Sequence, residues 1–216
     1  MPIVETVNFC VPKGDAMKPL SRLFDDVNFP ISEYNSENRT YRPQLEGRPV
    51  RVKIMAEKDV ALQVAVGNYD VGCCGLDWIK EHTTKYRASD LHVFRRLGIC
   101  KKKIFLCSGL NSGIKCVADL QEMDDFVRLV SEYPNLAESF AIHSRLQKFK
   151  IFSAWGSVEA YPPEHADVVL LAAENQASLQ SMGLHILSCK IESELCVVVN
   201  RKSFMEKDLT CVLEFF

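Results

Sequence analysis

The sequence predicts an α/β protein. Short apolar runs alternate with helix-like stretches along most of the chain, a pattern typical of a sheet covered by helices. Several of these runs end in glycine turns, as strands do. The 216 residues are 47% hydrophobic and 25% charged, which is the composition of a globular protein and excludes disordered and fibrous classes. A chain of this length can bury a core without disulfides and fits one or two domains.

The first strand is expected over residues 3–11, and it stops at Pro12-Lys13-Gly14. A helix should follow, because Asp15 is a suitable N-cap residue and apolar side chains recur at helical spacing. Those side chains are Met17, Leu20, Leu23 and Phe24.

A second strand is predicted over residues 48–55 and a helix over 59–66, closed by Gly67 at the position after the C-cap. Residues 69–75 read as a short buried strand that ends in a glycine turn. Asp77 is then positioned to cap the next helix.

The rest of the chain keeps the same alternation. A helix is expected over residues 135–147, and residues 109–125 form the expected surface excursion. The apolar segment 211–216 suggests a tail docked on the body or on a partner. Further strands are predicted over residues 103–107, 126–130, 150–154, 168–171 and 195–199.

Charge and cysteine usage exclude several functions. The formal net charge of −2 argues against a generally basic nucleic-acid binder. Nine cysteines cannot all pair within one chain and form no C-x-x-C motif, so reduced thiols in the cytoplasm are expected. Without a leader pattern or an apolar run of about 20 residues, no membrane association is predicted. The basic runs at residues 95–96 and 101–103 could attract a polyanion or keep a strand edge solvated.

The first candidate ligand site is the turn Pro12-Lys13-Gly14. A glycine lets an anion approach the backbone, and Lys13 could supply a positive charge for a phosphate. The alternative is a plain strand-to-helix turn with a solvated lysine.

Two further glycine turns follow predicted strands, where open α/β sheets place ligands. Gly75-Leu76-Asp77 is one. In the other, Trp155-Gly156-Ser157-Val158-Glu159, Ser157 could bind an anion and Glu159 could bind sugar hydroxyls or a metal, or Ser157 could simply cap a helix. Three such turns suit a cleft between two lobes. Nucleophilic catalysis is not favoured, because the sequence has no G-x-S-x-G motif.

Read in order, these segments resemble the short-form catalytic subunit of the ATP phosphoribosyltransferase family, which catalyses the first step of histidine biosynthesis. The similarity rests on Val11-Pro12-Lys13-Gly14, on residues 34–42, and on the alanine, aspartate and glycine pattern of residues 56–78. It continues through Glu132-Tyr133-Pro134-Asn135-Leu136 and Gly156-Ser157-Val158-Glu159-Ala160.

The resemblance implies a two-lobed fold like that of type II periplasmic binding proteins, with a ligand cleft between the lobes. Lobe I would comprise residues 1–90 plus 182–216, and lobe II residues 91–181. The implied reaction is a glycosyl transfer, in which N1 of ATP attacks C1 of phosphoribosyl pyrophosphate and pyrophosphate leaves. Mg²⁺ would accompany the phosphoribosyl pyrophosphate, with no protein metal site predicted.

The resemblance also implies roles for individual residues. Lys13, Arg39 and Glu159 would be catalytic. Substrate-binding positions would be Gly14, Gly75, Asp77, Tyr133, Ser157, Glu174, Asn175, Gln176, Ala177 and Ser178.

The loop that holds the ribose 5′-phosphate in the family is altered here. Leu171 replaces an aspartate, Gln176 replaces a glycine, and Glu174 adds a negative charge. Asp15 replaces an arginine that commonly follows lysine-glycine. Enzymatic activity is therefore left open, and the alternative is a non-catalytic relative that binds a small ligand or regulates a partner subunit.

The implied ligands are ATP and phosphoribosyl pyrophosphate or a related small anion. The implied assembly is a homodimer or a hetero-oligomer with a regulatory subunit resembling histidyl-tRNA synthetase. No nucleic-acid or membrane partner is expected.

Overall fold

The computed structural model describes residues 5–38, 40–45 and 47–216. The predicted α/β class is confirmed, since the chain forms two five-stranded sheets with helices between the strands. It divides into two compact units. Unit 1 comprises Met1–Cys100 and Glu194–Phe216, and unit 2 comprises Lys101–Ser193.

The strands and helices are numbered in chain order. The strands are β1 Val7–Pro12, β2 Val50–Met55, β3 Val71–Gly75, β4 Leu91–Arg96, β5 Lys102–Gly109, β6 Val127–Ser131, β7 Phe149–Ser153, β8 Val168–Ala173, β9 Leu184–Ser193 and β10 Leu195–Asn200. The helices are α1 Met17–Asp26, α2 Glu57–Ala65, α3 Leu76–Lys85, α4 Val117–Gln121, α5 Pro134–His143, α6 Gln176–Ser181, α7 Arg201–Glu206 and α8 Thr210–Leu213.

The sheet of unit 1 has the strand order β2-β1-β3-β10-β4. Strands β1, β2 and β3 are parallel, whereas β10 runs antiparallel between β3 and β4. Alternate residues of β1 face opposite sides, so Phe9 packs in one core cluster with Leu20 and Phe24 of α1. Cys10 packs on the other side in a cluster with Val60 of α2. The carboxyl ends of β1, β2 and β3 therefore meet at one edge.

The apolar C-terminal segment docks on the body, which confirms one of the two expected outcomes. Phe215 and Phe216 join the core cluster of α1. The Phe215 ring lies 4.9 Å from that of Phe29, and the Phe216 ring lies 6.0 Å from that of Phe24. These aromatic contacts cover the face of the sheet on which α1 packs.

Gly72 leaves no room for a side chain under α2. A Cβ at this position would lie 2.7 Å from Val60 Cγ1, 2.9 Å from Cys10 Sγ and 2.9 Å from Val64 Cγ2. We expect Gly72→Ala to lower the free energy of unfolding by about 2 kcal/mol, because α2 must move off the sheet. Urea unfolding measures this change.

Relief of the overlap provides the control for this substitution. In the double variant Gly72→Ala with Val60→Ala, the new methyl group occupies space that Val60 has vacated. We expect the double variant to lose less stability than the sum of the two single variants. Strict additivity would contradict the packing explanation.

The sheet of unit 2 has the order β7-β6-β8-β5-β9. Strands β6, β7 and β8 are parallel, and β5 runs antiparallel to β8 and β9. Ser131 of β6 pairs with Ser153 of β7 and with Leu170 of β8. The carboxyl ends of these three strands consequently share one edge.

The boundaries between the units differ from the expected lobes. Residues 91–100 lie in unit 1, because β4 pairs with β10, and residues 182–193 lie in unit 2, because β9 pairs with β5. Neither β4 nor β9 was predicted as a strand.

Two predicted helix caps are wrong. The N-cap of α1 is Ala16, without a side-chain hydrogen bond, rather than Asp15. Asp77 lies inside α3 as its second residue, and Gly75 is the N-cap. Helix α5 ends at His143, earlier than the predicted 147, and the expected surface excursion contains α4.

The expected closure of α2 is confirmed, since Gly67 follows the C-cap residue Val66 with a φ of 77°. All nine cysteines are free, and five of them are buried, as expected of reduced thiols. Among the described residues, no helix has the length and apolar character needed to cross a membrane.

Candidate functional site

Every described candidate residue lies at or just after the carboxyl end of a parallel strand. Those of unit 1 lie on residues 12–14 and 75–77. These two segments, with residues 55–57 after β2, are called here the unit 1 edge. Those of unit 2 lie on residues 131–133, 153–159 and 173–178, called here the unit 2 edge.

Lys13 and Gly14 follow β1 and are exposed. The Lys13 N–H donates to Met55 O at 2.8 Å, which extends the pairing of β1 with β2 by one residue. Gly14 adopts a φ of 83°, in the left-handed region that favours glycine, and its carbonyl accepts from Met17 N–H at 3.0 Å. The Lys13 backbone is thus fixed by hydrogen bonding, while its side chain is exposed to solvent.

A buried phenol supports the same turn. Tyr34 Oη donates to Pro12 O at 2.6 Å, and Tyr34 is 3% exposed. Burial, together with the nearby Cys73, Cys100 and Glu57, raises the pKa of Tyr34 well above its ordinary value. The phenol therefore stays protonated as a donor. Arg39, expected to be catalytic, lies outside the described residues.

The turn from β3 to α3 is closed by two carboxylates. The Gly75 N–H donates to Glu57 Oε1 at 2.7 Å. A Cβ on Gly75 would lie 2.1 Å from Asp77 Oδ1 and 2.6 Å from Glu57 Oε1, so the position requires glycine. Asp77 is fully buried and makes further contacts of its own. Glu57 was not predicted from the sequence.

On the unit 2 edge, Tyr133 is held under the end of β6. Ser131 Oγ donates to Leu170 O at 2.6 Å and accepts from Tyr133 N–H at 2.8 Å. The Tyr133 side chain is 1% exposed, so its ring packs inside unit 2.

The loop after β7 has a positive φ at two successive positions, of which only Ser157 is a residue that rarely adopts one. Gly156 has a φ of 106°, and Ser157 a φ of 52°. Ser157 precedes a 3-10 turn at Val158–Ala160, but its side chain makes no capping hydrogen bond there. Ser157 is exposed and Glu159 is half-buried, while Val158 anchors the turn in the core.

The loop after β8 is closed by its own side chains. Asn175 is the N-cap of α6, where its Oδ1 accepts from Ser178 N–H at 2.9 Å. Ser178 Oγ donates to Asn175 O at 2.9 Å. Glu174, Gln176 and Ala177 are exposed. This loop therefore presents an ordered, solvent-facing turn at the unit 2 edge.

Leu171 belongs to the core of unit 2. It is 7% exposed and packs in a cluster with Leu179 and Leu184. The position at which the resemblance implies an aspartate thus contributes an apolar side chain that packs against Leu179 of α6.

The described residues contain no group of three His, Cys, Asp or Glu side chains that could hold a metal ion. Mg²⁺ that arrives on a substrate pyrophosphate needs only one or two protein carboxylates, or none.

Comparison with known proteins supports this architecture. The profile of the HisG family, ATP phosphoribosyltransferase, matches residues 56–214. The ATP phosphoribosyltransferase of Chlorobium chlorochromatii is 26% identical over 195 residues, which are 90% of this chain and 63% of that protein. The chain thus spans less than two thirds of the length of this curated relative.

Solved structures agree on the fold. The ATP phosphoribosyl transferase (HisG:HisZ) complex from Thermotoga maritima contains a chain with a TM-score of 0.77 and 19% identity, and the match covers 97% of this chain and 96% of that one. A Candida albicans protein with the generic periplasmic binding protein fold matches at a TM-score of 0.59 and 9% identity, covering 98% and 69%. The two-lobed class expected from the sequence is confirmed. With the family profile matching most of its length, the chain belongs to the ATP phosphoribosyltransferase family.

Proposed function

We propose that this chain transfers the phosphoribosyl group from phosphoribosyl pyrophosphate to N1 of ATP. The observation that carries the proposal is the family match over residues 56–214. That range contains Glu57 and residues 75–77 of the unit 1 edge and the whole unit 2 edge.

The reaction needs charge stabilisation more than a protein nucleophile. The lone pair of adenine N1 forms a bond to ribose C1, and the C1–O bond breaks with its electrons passing to the leaving pyrophosphate. Cations that face the departing oxygens stabilise this transition state. We assign that role to Lys13, which is exposed on a rigid turn, and to Arg39.

The unit 2 edge supplies the groups for the ribose 5′-phosphate and the sugar. The exposed turn of residues 174–178 and the Ser157 hydroxyl would bind the phosphate, and Glu159 would bind ribose hydroxyls. Glu174 brings a negative charge next to a dianion, so phosphate affinity is the property most affected by the altered loop. Gly14 would contact substrate from the unit 1 edge, while the buried Gly75 and Asp77 would shape the neighbouring turn of the substrate site.

Magnesium, when bound with phosphoribosyl pyrophosphate, would neutralise part of the pyrophosphate charge. We further propose a cytoplasmic oligomer, either a homodimer or an assembly with a regulatory subunit resembling histidyl-tRNA synthetase. The heteromeric composition of the Thermotoga maritima relative supports the second form.

The test is direct. The purified chain is incubated with ATP, phosphoribosyl pyrophosphate and Mg²⁺, alone and with a histidyl-tRNA-synthetase-like subunit. We expect the phosphoribosyl adduct of ATP and pyrophosphate in equal amounts, measured by mass spectrometry and a pyrophosphate assay.

Two results would contradict the proposal. Binding of ATP by calorimetry without either product, in both conditions, would favour the non-catalytic relative. Absence of binding as well as of product would exclude both candidates for these substrates.

A further inference from the structure

Glu57 joins two loops of the unit 1 edge that are 18 residues apart in sequence. It is the first residue of α2, two residues after the end of β2, and its Oε1 accepts the Gly75 N–H at 2.7 Å. Gly75 ends β3 and caps α3. A hydrogen bond from an amide to a carboxylate is among the stronger ones in proteins. The contact therefore ties the start of α2 to the turn that leads into α3.

The N-cap residue of α3, Gly75, has no side chain of its own with which to cap the helix. Gly75 lacks a Cβ, and the volume beside it is filled by Asp77 Oδ1 and Glu57 Oε1. Asp77 reaches this position from inside α3 and is fully buried. Glu57 from the neighbouring helix thus holds the start of the Gly75–Asp77 segment, together with the Leu76 N–H bond to Glu194 O at 3.0 Å.

The same carboxylate lies close to groups that support β1 and β3. Its negative charge contributes, after burial, to the raised pKa values of Tyr34 and Cys74. Tyr34 holds the Pro12 carbonyl, and Lys13 N–H bonds to Met55 O at the end of β2. Glu57 is therefore placed among all three strand ends of the unit 1 edge.

We propose that Glu57 is a positioning residue for phosphoribosyl transfer, which holds the Gly75–Asp77 turn in the shape that receives substrate. This inference rests on the proposed function. A rigid second layer of hydrogen bonds is what keeps substrate-binding groups in a productive geometry.

The test combines kinetics with a spectroscopic readout of the turn. Glu57→Ala removes the acceptor, whereas Glu57→Gln keeps an acceptor oxygen at the same reach. We expect Glu57→Ala to raise the KM for one or both substrates by about 10- to 100-fold, with a smaller change in kcat. Glu57→Gln should recover most of the loss. Glu206→Ala, at an exposed carboxylate on α7, is the matched control and should match the wild type.

The Gly75 amide can be observed by itself. Cys74-Gly75 is the only Cys-Gly step in the sequence, so ¹³C-carbonyl cysteine with ¹⁵N-glycine labelling gives a single selected NMR signal. We expect the Gly75 proton to shift upfield in Glu57→Ala and to lose about tenfold of its protection from hydrogen exchange. A merely structural role would lower the thermal midpoint without changing the KM of the folded protein.

The possible results separate the two proposals. An unchanged Gly75 signal in Glu57→Ala would overturn the positioning role, and so would a shifted signal with wild-type KM. If the wild-type chain has no transferase activity, the proposed function fails first. The Gly75 signal followed during an ATP titration then decides the inference, because equal ATP affinities of wild type and Glu57→Ala would overturn it.

Discussion

Lys13→Ala is expected to lower kcat/KM for phosphoribosyl transfer by about 100- to 1,000-fold, the usual effect of removing one group that stabilises a developing negative charge. The side chain is exposed and its backbone N–H is already bonded to Met55, so the turn should survive the substitution. We therefore expect unchanged thermal stability. Steady-state kinetics with varied phosphoribosyl pyrophosphate measure the loss.

Two lysine variants sharpen this experiment. Lys13→Arg keeps the positive charge and should retain a substantial part of the activity. Lys18→Ala removes an exposed lysine five residues further along and should behave as wild type. A Lys13→Ala activity within threefold of the wild type would show that the leaving pyrophosphate is stabilised elsewhere.

Asp70→Ala is expected to lower the free energy of unfolding by about 3 kcal/mol, because it leaves several polar groups without their partner. Asp70 is 2% exposed. Its Oδ2 accepts from Asn8 N–H at 2.8 Å and its Oδ1 from Ser203 Oγ at 2.6 Å, while Lys207 Nζ lies 3.2 Å from Oδ1. These contacts tie α7 to the amino ends of β1 and β3. Chemical denaturation measures the difference.

The negative charge of Asp70 also stabilises the protonated form of Lys207. Desolvation lowers the pKa of Lys207, but hydrogen bonds and charges from Asp70 and Glu5 outweigh it, so the pKa is raised. This attraction stabilises the fold below the unfolded lysine pKa of about 10.4 and is lost as the pH rises through the folded value.

Two variants serve as controls for Asp70→Ala. Asp70→Asn, which keeps an acceptor oxygen, should lower the free energy of unfolding less than Asp70→Ala. Asp90→Ala, at an exposed carboxylate, should stay within about 0.5 kcal/mol. An equal loss in Asp70→Ala and Asp90→Ala would refute the importance of the buried network.

The sequence was sufficient for the α/β class and for most strands, because their apolar residues form a continuous run, as in β10, or alternate with polar ones, as in β2. Strands β4 and β9 were not predicted. They lie at sheet edges and are half exposed, as are β2 and β7, but β4 ends in basic residues and β9 mixes polar with apolar ones, so neither shows a clear strand pattern. Which sheet such a strand joins depends on distant partners, and this explains the misplaced unit boundaries.

The candidate residues were found through glycine turns and the family resemblance, and the structure places all the described ones at the carboxyl ends of parallel strands. Their roles remain predictions. Glu57 was missed because its contact is made with a backbone N–H 18 residues away. A carboxylate in the first turn of a helix looks like ordinary stabilisation of the helix dipole. The N-cap at Asp77 was wrong because Gly75, two residues earlier, already starts the helix.

The position of β10 in its sheet has a consequence for the order of folding. This strand is the only sheet partner of β4 among the described residues, and it separates β4 from β3, yet 98 residues of chain (97–194) lie between β4 and β10. During synthesis, β4 must wait unpaired while the whole of unit 2 emerges. Unit 2 is continuous in sequence and can close its own sheet first. The first unit to begin is thus the last to be completed, and the half-exposed β4 edge is the segment that most needs protection in the nascent chain.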